Sequence, residues 1–427
     1  MKDAKNRSNY SKILKESEYI KLLFSNLINR FGDSVESITF TWVVYQITNS
    51  AAWSAIVFAL NVLPNVIVQP FAGAIVEKMN KKQVVIATHF LRALLITLFI
   101  ILLELGYVNP LILSCFTLII TTVESFNLPA STAFTTQVIK REDINAVISL
   151  NSVFTNAASL AGSGVAGFII AKLGVGAAMF IDVSTFIIAA ILIKLIKETA
   201  NTVPTNTDST KNNSSGYIKM LKEGIVYVFK TPVVRNFCII CITLNCMLIP
   251  FSALQAPIAN GIFGMGSELL SIAGIFSSIG GIVGAVLLPY IAKTLSPLRI
   301  TILGIFMLII GMACIPAGSL VKGNVLLSYT LISTSFFIII TSASLVGGII
   351  SIQFMKCVDH NYMARASAVF NSSVTAAMPI SSFIVSIFIS HISVIYMLIG
   401  STAVSIVILL LIMILRPILE KSEEMTN

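Results

Sequence analysis

Long runs of apolar residues, separated by short polar loops, make up most of this chain. A transmembrane helix needs about 20 consecutive apolar residues, and a backbone in hydrocarbon must satisfy its own hydrogen bonds. The short alternating segments that are typical of membrane β-barrels do not occur. The pattern therefore predicts an all-α integral membrane protein with twelve transmembrane helices. The apolar segments fall at roughly 20–47, 53–76, 83–105, 109–138, 147–171, 176–197, 234–260, 267–291, 299–321, 325–355, 363–389 and 392–415.

The composition agrees with a membrane protein. Of the 427 residues, 56% are hydrophobic and 11% are charged, whereas soluble domains carry about 25% charged residues. The formal net charge of +9 would suggest a nucleic-acid partner if the basic residues formed a patch with aromatic residues. They lie between the apolar runs instead. We therefore expect contact with the lipid bilayer and no nucleic acid.

The basic residues are concentrated in alternate loops. Lysine and arginine are frequent in residues 1–19 and in every second loop after them, while the other loops carry only Lys172 and Lys322. Cytoplasmic loops carry an excess of basic residues, so we expect both termini in the cytoplasm and the protein in the plasma membrane. Residues 1–19 have no cleavage site before an apolar stretch, as a cleaved signal peptide would.

One long polar connection separates two groups of six helices. Its first part is rich in Thr, Asn and Ser, and its second part places apolar residues on one helical face, which predicts a helix in the cytoplasmic interface. The stretches 137–158 and 353–377 are similar in sequence. Two pseudo-symmetric six-helix halves are typical of secondary transporters. The predicted parts are a cytoplasmic tail over 1–19, a six-helix half over 20–197, a linker over 198–233, a second six-helix half over 234–415 and a cytoplasmic tail over 416–427.

The first helix carries three charged residues, Arg30, Asp33 and Glu36. Each costs about 2.5–3.5 kcal/mol at a helix centre, and at about 100° per residue they fall within one arc of roughly 120°. Asn26 and Phe40 share this arc, so this face is predicted to line the bundle interior. One interpretation is a proton site at Asp33 or Glu36 tuned by Arg30. The other is a fixed Arg30–Asp33 ion pair that only supports packing.

Two further charges lie in predicted helices of the same half. Glu124, which follows several threonines, has two interpretations. It faces the same cavity and takes part in coupling, or it forms a structural pair with Arg92. Arg92 is expected to neutralise a buried carboxylate rather than to contact substrate. Both residues therefore join the candidate proton-coupling set.

The second half has almost no charge within its apolar segments. Helix 7 instead places small polar side chains on one face, which predicts either a cavity wall for a weakly polar ligand or a face for helix packing. The candidate lining residues on this face are Asn245, Ser252 and Gln255.

A basic loop joins the second and third predicted helices. Its pattern consists of Gly73, Glu77, Lys78, Lys81 and Lys82. It resembles the signature loop of the major facilitator superfamily, with Asn80 in place of the second glycine. The resemblance implies a cytoplasmic latch at Glu77 and Lys78 that stabilises the outward-facing state, and Gly73 is expected to allow close approach of a neighbouring helix.

Residues 129–186 resemble the drug:proton antiporter group that contains macrolide-efflux and enterobactin-exporter proteins. The resemblance extends over nearly the whole chain and implies a monomer. The exporter motif of helix 5 corresponds to Gly162, Ser163, Gly164 and Gly167. Ser163 stands where that motif has proline, so the kink expected from proline is lost while close packing remains possible. Asp182 matches a family aspartate, for which we expect a structural hydrogen-bonding role.

Three functions are compatible with these observations. The first is a secondary active transporter that exports amphiphilic small molecules, such as macrolide-like drugs or siderophores, in exchange for protons by alternating access. The second is an importer or exchanger of a metabolite. The third is a non-transporting membrane scaffold. No catalytic, metal-binding or nucleotide-binding pattern occurs, so neither an enzyme nor a cofactor is expected.

Overall fold

The computed structural model describes residues 16–139, 144–197, 225–358 and 362–414. Twelve long helices occupy these residues, and they follow the order of the predicted apolar segments. Their bounds are α1 Ser17–Thr48, α2 Ala51–Glu77, α3 Lys81–Glu104, α4 Pro110–Val138, α5 Ile144–Leu173, α6 Val175–Lys194, α7 Pro232–Ala253, α8 Glu268–Ile291, α9 Pro297–Cys314, α10 Val325–Cys357, α11 Met363–Ile389 and α12 Val394–Ile414.

Asparagine residues mark several helix ends. The side chain of Asn80 accepts a hydrogen bond from the Gln83 backbone N–H at 3.1 Å and begins α3, and Asn109 caps α4 in the same way. Such N-caps satisfy backbone donors that have no partner within the helix. At the C-terminal end of α1, Asn49 adopts a left-handed conformation with φ of 46° and ends the helix. Residues at the helix ends themselves therefore determine where these helices begin and end.

The clearest differences from the predicted segments involve prolines in α2 and α7. In α2 the chain is interrupted at Val68, between the helical stretches Ala51–Ile67 and Gln69–Glu77, because Pro70 has no backbone N–H to continue the ladder. The predicted helix 7 extended to residue 260, but α7 ends at Ala253, three residues after Pro250. A π-helical turn then follows at Ile258–Ile262.

Eleven helices of the described chain are long and apolar enough to cross a membrane, namely α2 to α12. The first helix has 32 residues and the intramembrane charges noted above. Large apolar side chains are exposed along the helices, for example Leu94 and Leu111. Exposed apolar surface of this extent is suited to lipid rather than to water. With α1, the arrangement is an all-α membrane protein of twelve helices.

The described residues form two compact units. The first contains residues 16–49, 60–139, 144–197 and 266–271. Within it, α1 packs against α5 and α6, and α3 packs against α4 and α6. An apolar core of this unit contains Leu22 of α1, Phe134 of α4 and Ile193 of α6, which are almost fully buried.

The second unit contains residues 50–59, 225–265, 272–358 and 362–414. Here α9 packs against α10 and α12, and α7 packs against α11. Glycines allow the close contact between α8 and α10, since a Cβ at Gly280 would lie 2.6 Å from the carbonyl oxygen of Phe337. The Gly280–Gly284 pair is thus a packing element, as its small-xxx-small spacing suggests.

Candidate functional site

A single arginine joins two carboxylates in the interior of the first unit. The guanidinium of Arg92, on α3, lies 3.0 Å from an oxygen of Asp33 and 2.7 Å from an oxygen of Glu36. The two acids are three residues apart on α1, so they project from one face. Their side chains are 18% and 11% exposed, and that of Arg92 is 3% exposed. A buried arginine between two carboxylates uses the fork geometry that lysine lacks.

Aromatic packing fixes the position of Arg92. Its guanidinium carbon lies 4.1 Å from the ring centroid of Phe186, on α6. The ring of His89, one turn earlier on α3, also stacks on Phe186. A desolvated guanidinium over an aromatic face gains a cation–π interaction. The charge cluster is therefore held from α1, α3 and α6 together.

A third carboxylate, that of Asp182 on α6, lies beside the cluster. Asp182 is 1% exposed, and neither of its oxygens has a hydrogen-bond donor among the described residues. The absence of a side chain at Gly32 makes room for it, since a Cβ there would lie 2.9 Å from one Asp182 oxygen and would overlap the Thr185 hydroxyl. One helical turn beyond Gly32, Glu36 is within hydrogen-bonding reach of Asp182.

A cavity of about 400 Å³ opens beside these charges within the first unit. Its wall is rich in amides and hydroxyls, and it includes Asp33 and Arg92 but not Glu36. Cavities for small ligands are usually apolar with a few polar groups, whereas most of the residues that line this one carry a polar side chain. The lining residues are Asn26, Asn29, Arg30, Asp33, Arg92, Glu124, Asn127, Leu128, Ser131, Thr132, Thr135, Thr136, Ile139, Val147, Asn151, Ser152 and Thr155.

Side-chain amides connect the cavity wall. The amide nitrogen of Asn26 donates to the side-chain oxygen of Asn151 at 3.1 Å, which ties α1 to α5. Asn29 donates to the second oxygen of Asp33 at 2.9 Å. On the opposite wall, Asn127 donates to the Thr88 hydroxyl at 2.7 Å. The carboxylate of Asp33 therefore accepts a hydrogen bond from the cavity wall and forms an ion pair with Arg92.

In three places the structure differs from interpretations that the sequence allowed for this half. No ion pair joins Arg30 to Asp33, because Asp33 faces Arg92 across the helix interface and Arg30 is exposed. Arg92 contacts Asp33 and Glu36 instead of Glu124, which lines the cavity. Phe40 is buried against Phe99 with ring centroids 5.3 Å apart and lies outside the cavity lining, since its ring has an aromatic partner.

The three residues predicted to share one polar face of helix 7 lie in different surroundings. Asn245 lines a smaller cavity of about 150 Å³ in the second unit, together with Cys241 and side chains of α9 and α10. The Asn245 amide also donates to the carbonyl of Cys241 at 3.0 Å. Ser252 and Gln255 line none of the cavities described here. They lie near or beyond the end of α7, where the chain turns away from the predicted helical course.

The latch loop is largely exposed. Lys81 donates to the carbonyl of Glu77 at 2.6 Å, and Lys82 donates to the carbonyl of Ile196 at 2.7 Å. Glu77 and Lys78 are exposed, and neither forms an ion pair with another described residue. The expectation for Gly73 is wrong, because nothing lies within 4 Å of the position that its Cβ would take.

The small residues of α5 do permit close contacts. A Cβ at Gly162 would lie 2.5 Å from the carbonyl oxygen of Phe31, so this glycine sets the approach of α5 to α1. The backbone N–H of Gly167 donates to the hydroxyl of Ser271 at 2.6 Å, and the Ser267 hydroxyl donates to the Gly167 carbonyl at 2.9 Å. Ser163 and Gly164 lie between them, partly buried, in one continuous helix.

Sequence reasoning missed two parts of this site. It treated Asp182 as a separate structural residue, although Asp182 adjoins Glu36. It also missed Asn127 and Asn151 on the cavity wall. Both asparagines lie in the apolar segments of α4 and α5, and the rarity of amides in such segments was the available signal.

Comparison with known proteins gives a family and a set of distant relatives. The model of the Major Facilitator Superfamily matches residues 22–382. The chain is 23% identical over 229 residues to the MFS-type transporter YkuC of Bacillus subtilis (strain 168), covering 52% of each chain. It is 24% identical over 284 residues to the multidrug efflux pump Tap of Mycolicibacterium fortuitum, covering 64% of this chain and 66% of that one. The matches thus span only about half to two thirds of these relatives.

Solved structures share the fold at low identity. The nucleoside transporter NupG has a TM-score of 0.75 at 12% identity, with 93% of this chain and 98% of that chain covered. A bacterial homologue of the iron transporter ferroportin, in an inward-facing state, has a TM-score of 0.69 at 11% identity, covering 92% and 98%. At this identity the likeness concerns the fold alone.

Proposed function

Because the chain belongs to the Major Facilitator Superfamily of membrane transporters, we propose that it is a proton-coupled exporter of amphiphilic small molecules. Transport would proceed by alternating access of a central site to the two sides of the membrane. The similarity to the multidrug efflux pump Tap supports export. The family consists of transporters rather than enzymes or scaffolds.

The observation that carries the proposal is the buried Arg92 with its two carboxylates at the cavity wall. Ionisable residues within membrane segments are costly and mark ion or proton pathways. One guanidinium faces two acids here, so the triad has one negative charge in excess when both acids are ionised. Binding one proton would neutralise it. A group of this kind can respond to proton binding with a change in its internal contacts.

Of the two acids paired with Arg92, Asp33 is the one that a proton from the cavity reaches first. It lines the cavity, whereas Glu36 lies behind it. Its carboxylate also accepts a hydrogen bond from Asn29. Protonation of Asp33 would weaken its ion pair with Arg92 and leave Glu36 as the counter-ion. The arginine would then hold α1 and α3 together through one contact instead of two.

Glu124 gives the cavity a second acid that is suited to a cationic group. It lines the cavity and forms no ion pair with a described residue. An amphiphilic amine would place its charge near Glu124 and its hydrogen-bonding groups against the amides and hydroxyls. Arg30, which also lines the cavity, would help to set the affinity for proton and substrate.

The polar wall also favours a second candidate, an importer or exchanger of a hydrophilic metabolite. Four asparagines line the cavity, namely Asn26, Asn29, Asn127 and Asn151. A wall of this chemistry discriminates among ligands by hydrogen bonds, because an unmatched buried polar group carries a desolvation penalty. The direction of substrate movement distinguishes this candidate from the exporter.

The proposal also covers the orientation in the membrane, the moving parts and the oligomeric state. We place both termini and the Glu77–Lys78 latch on the cytoplasmic side, since the basic loops alternate along the chain. The two six-helix halves would be the moving parts, and the protein would act as a monomer in the plasma membrane. The predicted interfacial helix of the linker lies largely outside the described residues.

The test uses purified protein in liposomes that contain a trapped pH dye. An imposed proton gradient is combined with a panel of macrolides, lipophilic amines, siderophores and hydrophilic metabolites. We expect an amphiphilic compound to trigger proton flux, and we expect Asp33→Asn to abolish that flux. Radiolabelled substrate then reports the direction of movement relative to the proton.

The matched control removes a carboxylate elsewhere. Glu104 is exposed at the end of α3 and lies outside the cavity lining, so Glu104→Gln should leave the flux unchanged. Flux that survives in Asp33→Asn would contradict the assignment of the coupling site. Proton-independent uptake of a metabolite would contradict the exporter.

A further inference from the structure

The carboxylate of Asp182 has an environment that an ionised acid does not tolerate. It is 1% exposed, and neither oxygen accepts a hydrogen bond from a described residue. The hydroxyl of Thr185, three residues further along α6, donates to the backbone carbonyl of Asp182 at 2.6 Å. Buried charges in proteins are normally paired and hydrogen-bonded. This carboxyl group must therefore be stabilised in another way.

Its position places it against the acid pair of α1. An oxygen of Asp182 lies 2.9 Å from the Cβ position of Gly32, and Glu36 follows Gly32 by one turn on the same helix face. The two carboxyl groups lie within hydrogen-bonding reach of each other. Phe186, one turn beyond Asp182 on α6, packs against the face of the Arg92 guanidinium.

The neighbouring charges do not supply a cation for Asp182. On α3, the Arg92 guanidinium forms its ion pairs with Asp33 and Glu36 of α1. His89 of α3 is 3% exposed and stacks on Phe186. On α4, Glu124 adds a further carboxyl group near the cluster. The surroundings therefore contain one guanidinium and more than two carboxyl groups, and the guanidinium is already paired with two of them.

Two adjacent carboxylates without a second cation cannot both remain ionised, because like charges at this distance repel strongly. A single proton resolves the conflict, since a protonated acid donates a hydrogen bond to its ionised neighbour. The proton would sit on an oxygen of Asp182 and point to Glu36, whose other oxygen accepts from Arg92.

We propose that Asp182 and Glu36 form a carboxyl–carboxylate pair that holds one proton, as a second proton site behind Asp33. The pair extends the coupling site from α1 and α3 to α6. Its existence does not depend on the proposed export function, whereas its part in transport does. Asp182 is a positioning residue in this account, since it acts through Glu36 and not on the substrate.

Infrared difference spectroscopy of the purified protein in lipid nanodiscs tests the pair directly. A protonated carboxyl group has a C=O stretch that is separate from those of carboxylates and amides. We expect such a band at neutral pH, and we expect Asp182→Asn to remove it. The amide of Asn donates to Glu36 as the protonated acid would, so this variant should fold and elute as the native protein does. Glu36→Gln should also remove the band, because Asp182 then receives a hydrogen bond from the Gln amide and ionises.

The control is Ser184→Ala on the exposed face of α6, where the Ser184 hydroxyl contacts only the Phe180 carbonyl. This variant should retain the band. A native spectrum without the band, or a band that persists in both Asp182→Asn and Glu36→Gln, overturns the proposal. Proton flux in liposomes is a separate measurement: a band that is present in a protein without coupled flux would refute the exporter and leave the pair intact.

Discussion

Removal of the Arg92 charge should destabilise the protein more than any neutral substitution nearby. In Arg92→Met the side chain keeps an apolar contact with Phe186 but loses both ion pairs. Asp33 and Glu36 then remain in the interior without a cation. The affected contacts join α1 to α3 and α3 to α6.

The magnitude follows from the burial of the partners. Removing one member of a buried ion pair costs about 3–5 kcal/mol, because the other charge is left uncompensated. Glu36, whose side chain is 11% exposed, should account for more of the loss than Asp33 at 18%. The cation–π contact adds about 1–2 kcal/mol, of which a methionine sulfur on the ring recovers a part. We expect a total loss of about 4–6 kcal/mol in the free energy of unfolding.

The assay is reversible unfolding in mixed micelles with increasing dodecyl sulfate, followed by tryptophan fluorescence. The chain has 2 tryptophans, and Trp42 lies on α1, the helix that carries Asp33 and Glu36. The triple variant Arg92→Met, Asp33→Asn, Glu36→Gln removes the charges together. It should recover most of the loss, since replacing a whole buried ion cluster is often neutral.

The matched control is Arg235→Met at the exposed start of α7, where the change should be within about 0.5 kcal/mol. A loss below about 1 kcal/mol in Arg92→Met would mean that the contacts of Arg92 stabilise the protein no more than a surface ion pair does. A triple variant no more stable than the single one would show that the carboxylates are not the source of the loss. Either result would refute the coupled cluster.

Three substitutions test the packing and the loop. Gly162→Val should prevent the native α1–α5 contact and lower the yield of folded protein, because its Cβ would meet the Phe31 carbonyl at 2.5 Å; size-exclusion chromatography checks this. Gly73→Ala should fold normally and raise stability by up to about 1 kcal/mol, since its Cβ position is open, and a loss of stability would mean that a helix packs there. Asn80→Ala should cost about 1 kcal/mol in the same unfolding assay by removing the α3 cap, whereas no change would show that the cap is replaced by water.

The twelve helices and the membrane environment follow from the sequence alone, because each depends on the local density of apolar residues. The same holds for the loops capped by Asn80 and Asn109, whose side chains bond to backbone groups three residues away. The family resemblance was also readable from short motifs, and the family model agrees with it. The narrower resemblance to macrolide and enterobactin exporters remains a prediction.

Which charges meet was decided only by the tertiary structure. Helical periodicity placed Arg30, Asp33 and Glu36 on one arc of α1, but it does not tell which neighbouring helix faces that arc. The close approach of α6 at Gly32 and the position of Phe186 bring Arg92 and Asp182 there. These contacts join residues that are far apart in the chain, and no periodicity along a single helix contains that information. The sequence therefore determined that charges lie inside the bundle, and packing between helices determined their partners.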